Sequence, residues 1–187
     1  MKFLKNKFLL PALLPILLFV NWLGFTQITK EFQNNLLVYF DFNQNQGSVL
    51  EDHSDKGNNA NVSDAAQFWN DGGVQKGCAS FKEGLKVFLN SNRRLSKGEE
   101  LTIMMWVKPD HLNGKVKFLS TRSYEAEFNY YMLGMDNGMP YAAIGDGTNF
   151  SATAKTKALM PGQWNHLAMT LSVDQKLKLY IDGNLSE

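Results

Sequence analysis

Cysteine is nearly absent from this chain, and that scarcity sets the first limit on its fold. The 187 residues contain a single cysteine, Cys78. One thiol forms no disulfide within the chain, so the fold is not a small scaffold stapled by disulfides. The residues around Cys78 have the composition of a strand, which predicts a buried and unreactive thiol; a reactive or pairing thiol is the alternative.

An excess of charge of one sign is also absent. The chain has 19 basic and 18 acidic residues, and residues 1–26 hold three of the lysines and no acid. The remainder therefore carries 16 basic and 18 acidic side chains. Nucleic acids and anionic membranes select basic surfaces, so this balance argues against both as partners. The hydrophobic fraction of 44% is enough for one globular domain.

The sequence beyond residue 26 lacks stretches with the apolar spacing of a helix. Short segments with the composition or alternation of strands are separated instead by turn residues, and Pro109 ends the strongest of them. Many short strands at short intervals predict an all-β fold, an antiparallel two-sheet sandwich of the jelly-roll type. The predicted strands are 36–42, 60–63, 78–81, 86–89, 101–107, 116–120, 130–134, 141–144, 164–171 and 177–181.

The first 26 residues have the three-part layout of a secretory signal peptide. Three lysines occupy the first seven positions, an almost wholly apolar run covers 8–20, and residues 21–27 are mixed. This order predicts a helical signal segment cut after Thr26, with a secreted or cell-surface product. An uncleaved anchor is the alternative, although the run is short for a membrane span and two prolines interrupt it. Residues 27–35 are then expected to form a short linker.

The other end of the chain presents an open question. Residues 177–181 alternate like a strand, and Asp182-Gly183 is a strong signal for a hairpin turn. Only four residues follow this turn. The strand therefore either pairs elsewhere, or the fold is incomplete at its C-terminus.

Five segments in order resemble laminin-G-like domains of the concanavalin A-like jelly-roll superfamily. Leu101–Asp110 resembles the family strand F-T-I-S-x-W-V-K-P-D, and Gly162–Ala168 is similar to G-x-W-x-H-V-A. Residues 177–183 resemble L-K-L-Y-V-N-G. Further upstream, 49–59 is similar to V-x-D-x-S-G-N-G-N-N-G, and 77–81 to G-x-A-L-S-F. The resemblance implies one domain over 36–187 that lacks the family's closing strands.

The resemblance also implies a binding module rather than an enzyme. A polysaccharide or the glycan of a glycoprotein is the expected partner, with a role in cell adhesion through a protein ligand as an alternative. Sugar binding uses exposed aromatic rings together with amide and carboxylate groups. Trp106 and Trp164 lie in predicted strands and are expected in the core. The candidate ligand residues are aromatics in or near predicted loops, chiefly Trp69, Tyr124, Tyr131 and Tyr141, with Tyr130 and Phe150 beside them.

One loop offers hard oxygen ligands for calcium, an ion that many members of this family hold. Asp52, Asp55 and Asn58 lie within seven residues, with Ser54 between them. The spacing is not that of an EF-hand, because Lys56 occupies the fifth position. A polar turn whose side chains bond to their own backbone is the alternative.

A glycoside hydrolase on the same sandwich is the second alternative. It needs two carboxylates facing each other across a cleft. Glu125 and Glu127 are two apart and share a face if they lie in a strand, but they do not complete the Glu-x-Asp-x-x-Glu pattern of the related β-glucanases. His166 lies between Trp164 and Ala168, and a histidine hydrogen-bonded within the sandwich is expected there rather than a catalytic one.

Overall fold

The computed structural model describes residues 30–82, 84–89, 100–120, 129–146, 150–153 and 157–186. The predicted signal peptide at 1–26 lies outside these residues, so its helix and its cleavage remain predictions. Among the described helices, none is both long enough and apolar enough to cross a membrane.

The described part of the chain is mostly β-structure in antiparallel sheets, as predicted. The described residues include two short helices, α1 (Lys30–Asn35) and α2 (Ala65–Phe68). The N-terminal strands are β1 (Val49–Leu50), β2 (Ala60–Val62), β3 (Trp69–Asp71), β4 (Gly77–Ala79) and β5 (Val87–Leu89). The remaining strands are β6 (Leu101–Val107), β7 (Lys115–Ser120), β8 (Asn129–Asp136), β9 (Met139–Asp146), β10 (Phe150–Ala152), β11 (Asn165–Leu171), β12 (Leu177–Ile181) and β13 (Asn184–Leu185).

Within the described ranges, two four-stranded sheets form the sandwich. The first, called the β11 sheet here, has the order β13-β12-β11-β6, and the second, the β8 sheet, has the order β10-β9-β8-β7. In the β11 sheet, Leu167 pairs with Met105 on one side and with Ile181 on the other. The β8 sheet is a meander whose β7–β8 register shifts between Lys117 and Leu119, a bulge that adds a residue to β7.

The main core lies between these two sheets. Alternation along β11 buries every second residue, and both sheets send their buried side chains into one cluster. Burial of this apolar surface supplies the main stabilising term of a sandwich. The buried members of the cluster are Leu133, Met135, Ala142, Leu159, Leu167, Met169, Leu179 and Ile181.

A smaller cluster supports the N-terminal part of the chain. It joins the three-stranded sheet of order β1-β2-β5 to α2 and to the β3–β4 hairpin. Phe68 is fully buried at its centre, and Leu50 and Val62 pack beside it. A long-range contact links this part to the sandwich, because Trp164 Nε1 donates to the Gly72 carbonyl over 3.3 Å.

Two features of the N-terminal part differ from the sequence prediction. No helix is expected beyond residue 26, but α1 occupies residues 30–35 and α2 follows Asp64, whose side chain accepts the Ala66 N–H as a helix N-cap. Residues 36–42 form no strand. The apolar side chains of this segment are buried in another way, because Phe40 and Phe42 pack on the small cluster without joining a sheet ladder.

The Asp182-Gly183 hairpin is present as predicted, and it has a return strand. Asp182 and Gly183 both have positive φ, 50° and 76°, which suits a tight turn between twisted strands. β13 then pairs with β12 through Tyr180 opposite Leu185 and Ile181 opposite Asn184. The return strand β13 is two residues long.

Candidate functional site

Trp69 is held by structural contacts and does not present an open ring to a ligand. It is half-buried at the start of β3, and its Nε1 donates to the Gly47 carbonyl over 2.8 Å. Its ring centroid lies 4.8 Å from that of Phe68 in an edge-on arrangement. Trp69 therefore ties the 47–49 segment to the small cluster.

Tyr131 also lies away from the outward surface. It sits in β8 opposite Ile144, on the same strand face as Leu133 and Met135, which belong to the main core. Its half-buried ring is thus on the inward side of the β8 sheet. Tyr124 lies outside the described residues, as do the side chains of Tyr130 and Phe150, so these three remain sequence predictions.

Tyr141 is the sequence candidate that reaches the outward face of the β8 sheet. It lies in β9 opposite Gly134 of β8. A Cβ at Gly134 would lie 2.9 Å from both the Cζ and the Oη of Tyr141, so the ring lies against the glycine. The hydroxyl donates to the sulfur of Met132 over 3.3 Å. The absence of a side chain at Gly134 therefore allows Tyr141 to lie along the sheet.

Asp52 is the central residue of the predicted calcium loop. Its Oδ1 accepts the main-chain N–H groups of Tyr39 and Ser54, and its Oδ2 accepts the Ser54 hydroxyl and the Asn58 N–H. Burial raises the pKa of Asp52, but these hydrogen bonds outweigh the burial and lower it below its ordinary value. The carboxylate is therefore occupied in holding residues 37–39 against the loop.

The other two predicted calcium ligands have different partners. Asp55 Oδ2 accepts from Gln33 Nε2 over 2.7 Å, and the Asn58 amide donates to the Leu37 carbonyl over 2.7 Å. Within the described ranges, no three His, Cys, Asp or Glu side chains are grouped so as to hold a metal ion. Calcium would have to replace four hydrogen bonds to Asp52, so the residues fit the polar-turn alternative better than the ion. Bound calcium stays a prediction.

The outward face of the β11 sheet contains the feature that the sequence analysis places wrongly. Trp106 is 50% exposed, not buried in the core. It lies in β6 directly opposite His166 of β11, and the two ring centroids are 5.0 Å apart with an interplanar angle of 61°. His166 is therefore also on the outward face, and its ring contacts an aromatic partner there.

The strand register arranges this face in rows. One row runs Trp106, His166, Asp182; the next runs Met104, Ala168, Tyr180, Leu185; the third runs Thr102, Thr170, Lys178. Ala168 is the smallest residue of the middle row, and it lies between Met104 and Tyr180. We call this outward face the Trp106 face, and it consists of the residues in these three rows together with Lys108 and Trp164.

Lysines lie at both ends of the Trp106 face. Lys108 follows Trp106 by two residues, and its Nζ lies 5.4 Å from the ring centroid of Trp164. Lys178 is exposed on β12 and forms no ion pair within the part of the chain that the structure describes. Asp182 is the carboxylate within the rows, and its Oδ1 accepts the main-chain N–H of His166 over 2.9 Å.

The sequence contains a signal that identifies this face. Residues 102, 104, 106 and 108 share one side of β6 and include threonine and lysine, whereas Leu101, Ile103 and Met105 on the other side are all apolar. The polar residues mark the solvent side. Trp106 therefore belongs to the outward set despite its size and hydrophobicity.

The described residues offer no assembled catalytic group around His166. Asp182 bonds to the main chain of His166, whereas a catalytic imidazole needs a partner on its ring. Glu125 and Glu127, the carboxylates of the hydrolase alternative, lie outside the described residues.

Solved structures share the fold at low sequence identity. An S-layer domain-containing protein from Clostridium thermocellum has a TM-score of 0.54 and 20% identity, over 80% of this chain and 70% of that one. Botulinum neurotoxin type C, whose cell entry depends on interaction with two ganglioside molecules, has a TM-score of 0.52 and 16% identity, over 81% and 37%. The binding domain of botulinum neurotoxin DC, solved with rat synaptotagmin II, has a TM-score of 0.55 and 14% identity, over 83% and 39%.

These likenesses establish the fold alone, and the chain spans less than two fifths of either toxin chain. No curated protein matches the sequence. The family model described as the concanavalin A-like lectin/glucanases superfamily, of the third laminin-G type, matches residues 82–187. That is more than half of the chain, and it includes the strands of both sandwich sheets. The chain belongs to the concanavalin A-like lectin/glucanase superfamily.

Proposed function

We propose that this protein is an exported, non-catalytic module that binds carbohydrate through the Trp106 face. The observation that carries the proposal is the half-exposed Trp106 on β6, the last strand in the order of the β11 sheet, with His166 of the neighbouring strand against it. A tryptophan that keeps half of its surface in water has a flat apolar ring available to stack on the apolar side of a pyranose.

The neighbours of Trp106 supply what a sugar needs besides stacking. Thr102 and Thr170 offer hydroxyl groups in one row, and Tyr180 offers a second ring on β12. An aromatic ring with several hydrogen-bonding groups on a rigid strand framework is typical of a preformed ligand surface. The likeness to a toxin that interacts with gangliosides supports the same class of ligand.

Export is part of the proposal because of the signal-like layout of residues 1–26. A glycan on a cell surface or in an extracellular polysaccharide is reached only from outside the cell. The single cysteine, free and half-buried in the structure, is compatible with export but does not require it.

A glycan array with the purified chain tests the proposal. Wild type should bind at least one glycan class, and Trp106→Ala should abolish that binding. Phe88→Ala is the matched control, because Phe88 is 53% exposed on β5, which belongs to another sheet, and this variant should bind like wild type. Absence of binding to every glycan, or equal binding by both variants, would overturn the proposal.

A further inference from the structure

We infer that the Trp106 face selects anionic glycans, those that carry carboxylate or sulfate groups. This inference rests on the proposed function and specifies its ligand. The charges on the face are two lysines, Lys108 and Lys178, against one carboxylate, Asp182. The excess is positive even though the chain as a whole is close to neutral.

The three charges differ in how far they are available to a ligand. Asp182 already accepts the His166 N–H and lies in a hairpin turn, so part of its charge is compensated by that bond. Lys178 has no ionic partner among the described residues. The Lys108 ammonium lies near the Trp164 ring, which leaves its N–H donors for an anion. A ligand therefore meets available cations and one partly committed anion.

The positions of the lysines match an extended ligand. Lys108 lies beyond the Trp106 row at one end, and Lys178 lies two rows away at the other end. Neighbouring rows are about 7 Å apart along a strand, so the two lysines are separated by roughly 20 Å in the direction of the strands. A single sugar does not span that length, whereas an oligosaccharide with a charge on its repeating units does. Stacking on Trp106 would hold the part of the ligand next to Lys108.

The test uses anionic polymers together with their neutralised forms. Polygalacturonate is compared with its methyl ester, alginate with its propylene glycol ester, and chondroitin sulfate with desulfated, methyl-esterified chondroitin. Calorimetric titration of the purified chain should show at least one anionic polymer binding about tenfold tighter than its neutral form, a difference of the size expected for more than one partly exposed charge contact. Raising sodium chloride from about 0.05 M to about 0.5 M should remove most of that difference.

Variants separate charge from stacking. Lys178→Gln should weaken binding of the anionic polymer about fivefold, which is the effect of losing one exposed charge pair. Binding of the neutral form should stay unchanged. Trp106→Ala should weaken binding of both the anionic and the neutral form. Lys176→Gln is the matched control, because Lys176 is an exposed lysine near Lys178 whose partner is Asp174 in the turn before β12. It should behave like wild type.

The outcomes are distinct for each proposal. Equal binding of the charged and neutralised forms, or array binding confined to neutral glycans, would overturn the anionic selectivity and leave carbohydrate binding in place. Absence of binding to any glycan would overturn both. A second copy of the chain is another possible occupant, so a dimer in sedimentation velocity that Trp106→Ala abolishes would also overturn the inference.

Discussion

The Trp106 and His166 rings contact each other edge to face on the outward side of paired strands, with centroids 5.0 Å apart. Neither ring contributes to the main core, whose β11 members are on the opposite side of the same strand, at Leu167 and Met169. A large aromatic pair on the water side of a sheet contributes less to stability than its size suggests, because half of the tryptophan remains exposed.

Trp106→Ala should therefore destabilise the folded chain only slightly. We expect a loss of about 1–2 kcal/mol in the free energy of unfolding, since only part of the ring surface is buried. Leu167→Ala, on the buried side of the facing strand, should cost about 2–5 kcal/mol. Urea denaturation followed by fluorescence and circular dichroism measures both. A tryptophan variant as destabilised as the leucine variant would place Trp106 in the core and contradict the outward assignment.

Gly134→Ala should destabilise the β8 sheet. The new Cβ would lie 2.7 Å from the carbonyl oxygen of Val116 and 2.9 Å from the Tyr141 ring, and the backbone oxygen has little room to move. We expect a loss of about 1–3 kcal/mol, the usual cost of overpacking. Thermal unfolding of the double variant with Tyr141→Ala provides the control. Removal of the Tyr141 ring should recover part of the lost stability, while the clash with Val116 remains. If Gly134→Ala alone lost no stability, the close approach at Gly134 would be contradicted.

Asp52→Asn should lower stability at neutral pH by about 1–2 kcal/mol, because the amide replaces a charged acceptor of several hydrogen bonds. The pKa of Asp52 is below its ordinary value of 3.8 in the folded chain. Its contribution is therefore fully present above about pH 3.8 and is lost as the pH falls through the lower, folded pKa. Asp174, whose pKa is lowered to about 2 by its bonds to Lys176 and Ser172, titrates in wild type and in Asp52→Asn alike. Its effect on stability therefore cancels in the comparison.

Denaturation curves of wild type and Asp52→Asn between about pH 2 and pH 7 check this linkage. The two stabilities should converge on acidification. A constant difference across that range would show that the carboxylate charge has no part in holding the loop.

Cys78 should titrate at higher pH in the folded chain than in the unfolded chain. Burial raises the pKa of its thiol, the Lys108 charge opposes this, and Asp71 adds to it. The pH midpoint of alkylation by iodoacetamide measures the thiolate fraction independently of access. Lys108→Gln should move the midpoint further up, whereas Lys176→Gln should leave it unchanged. A folded-state midpoint at or below that of the chain in denaturant would contradict this.

The sequence alone predicted the strands whose apolar side is also the side that the fold buries. β6 and β12 lie at the residues that the sequence predicts, 101–107 and 177–181, because one face of each strand is wholly apolar. The family resemblance rests on the same strands, and the family match over 82–187 confirms it. The strand predicted at 36–42 is absent because an apolar run indicates that side chains are buried, not that the backbone joins a ladder.

Only the tertiary structure decided how far each ring meets solvent and which side chain lies beside it. The sequence places Trp106 on the same side of β6 as Thr102, but both sides of this strand carry large apolar residues, so hydrophobicity alone did not choose the inward one. The packing of the β8 sheet against Ile103 and Met105 made that choice. The same packing left Trp106 outside, next to a histidine 60 residues later in the chain, because strand pairing sets neighbours that sequence distance does not reveal.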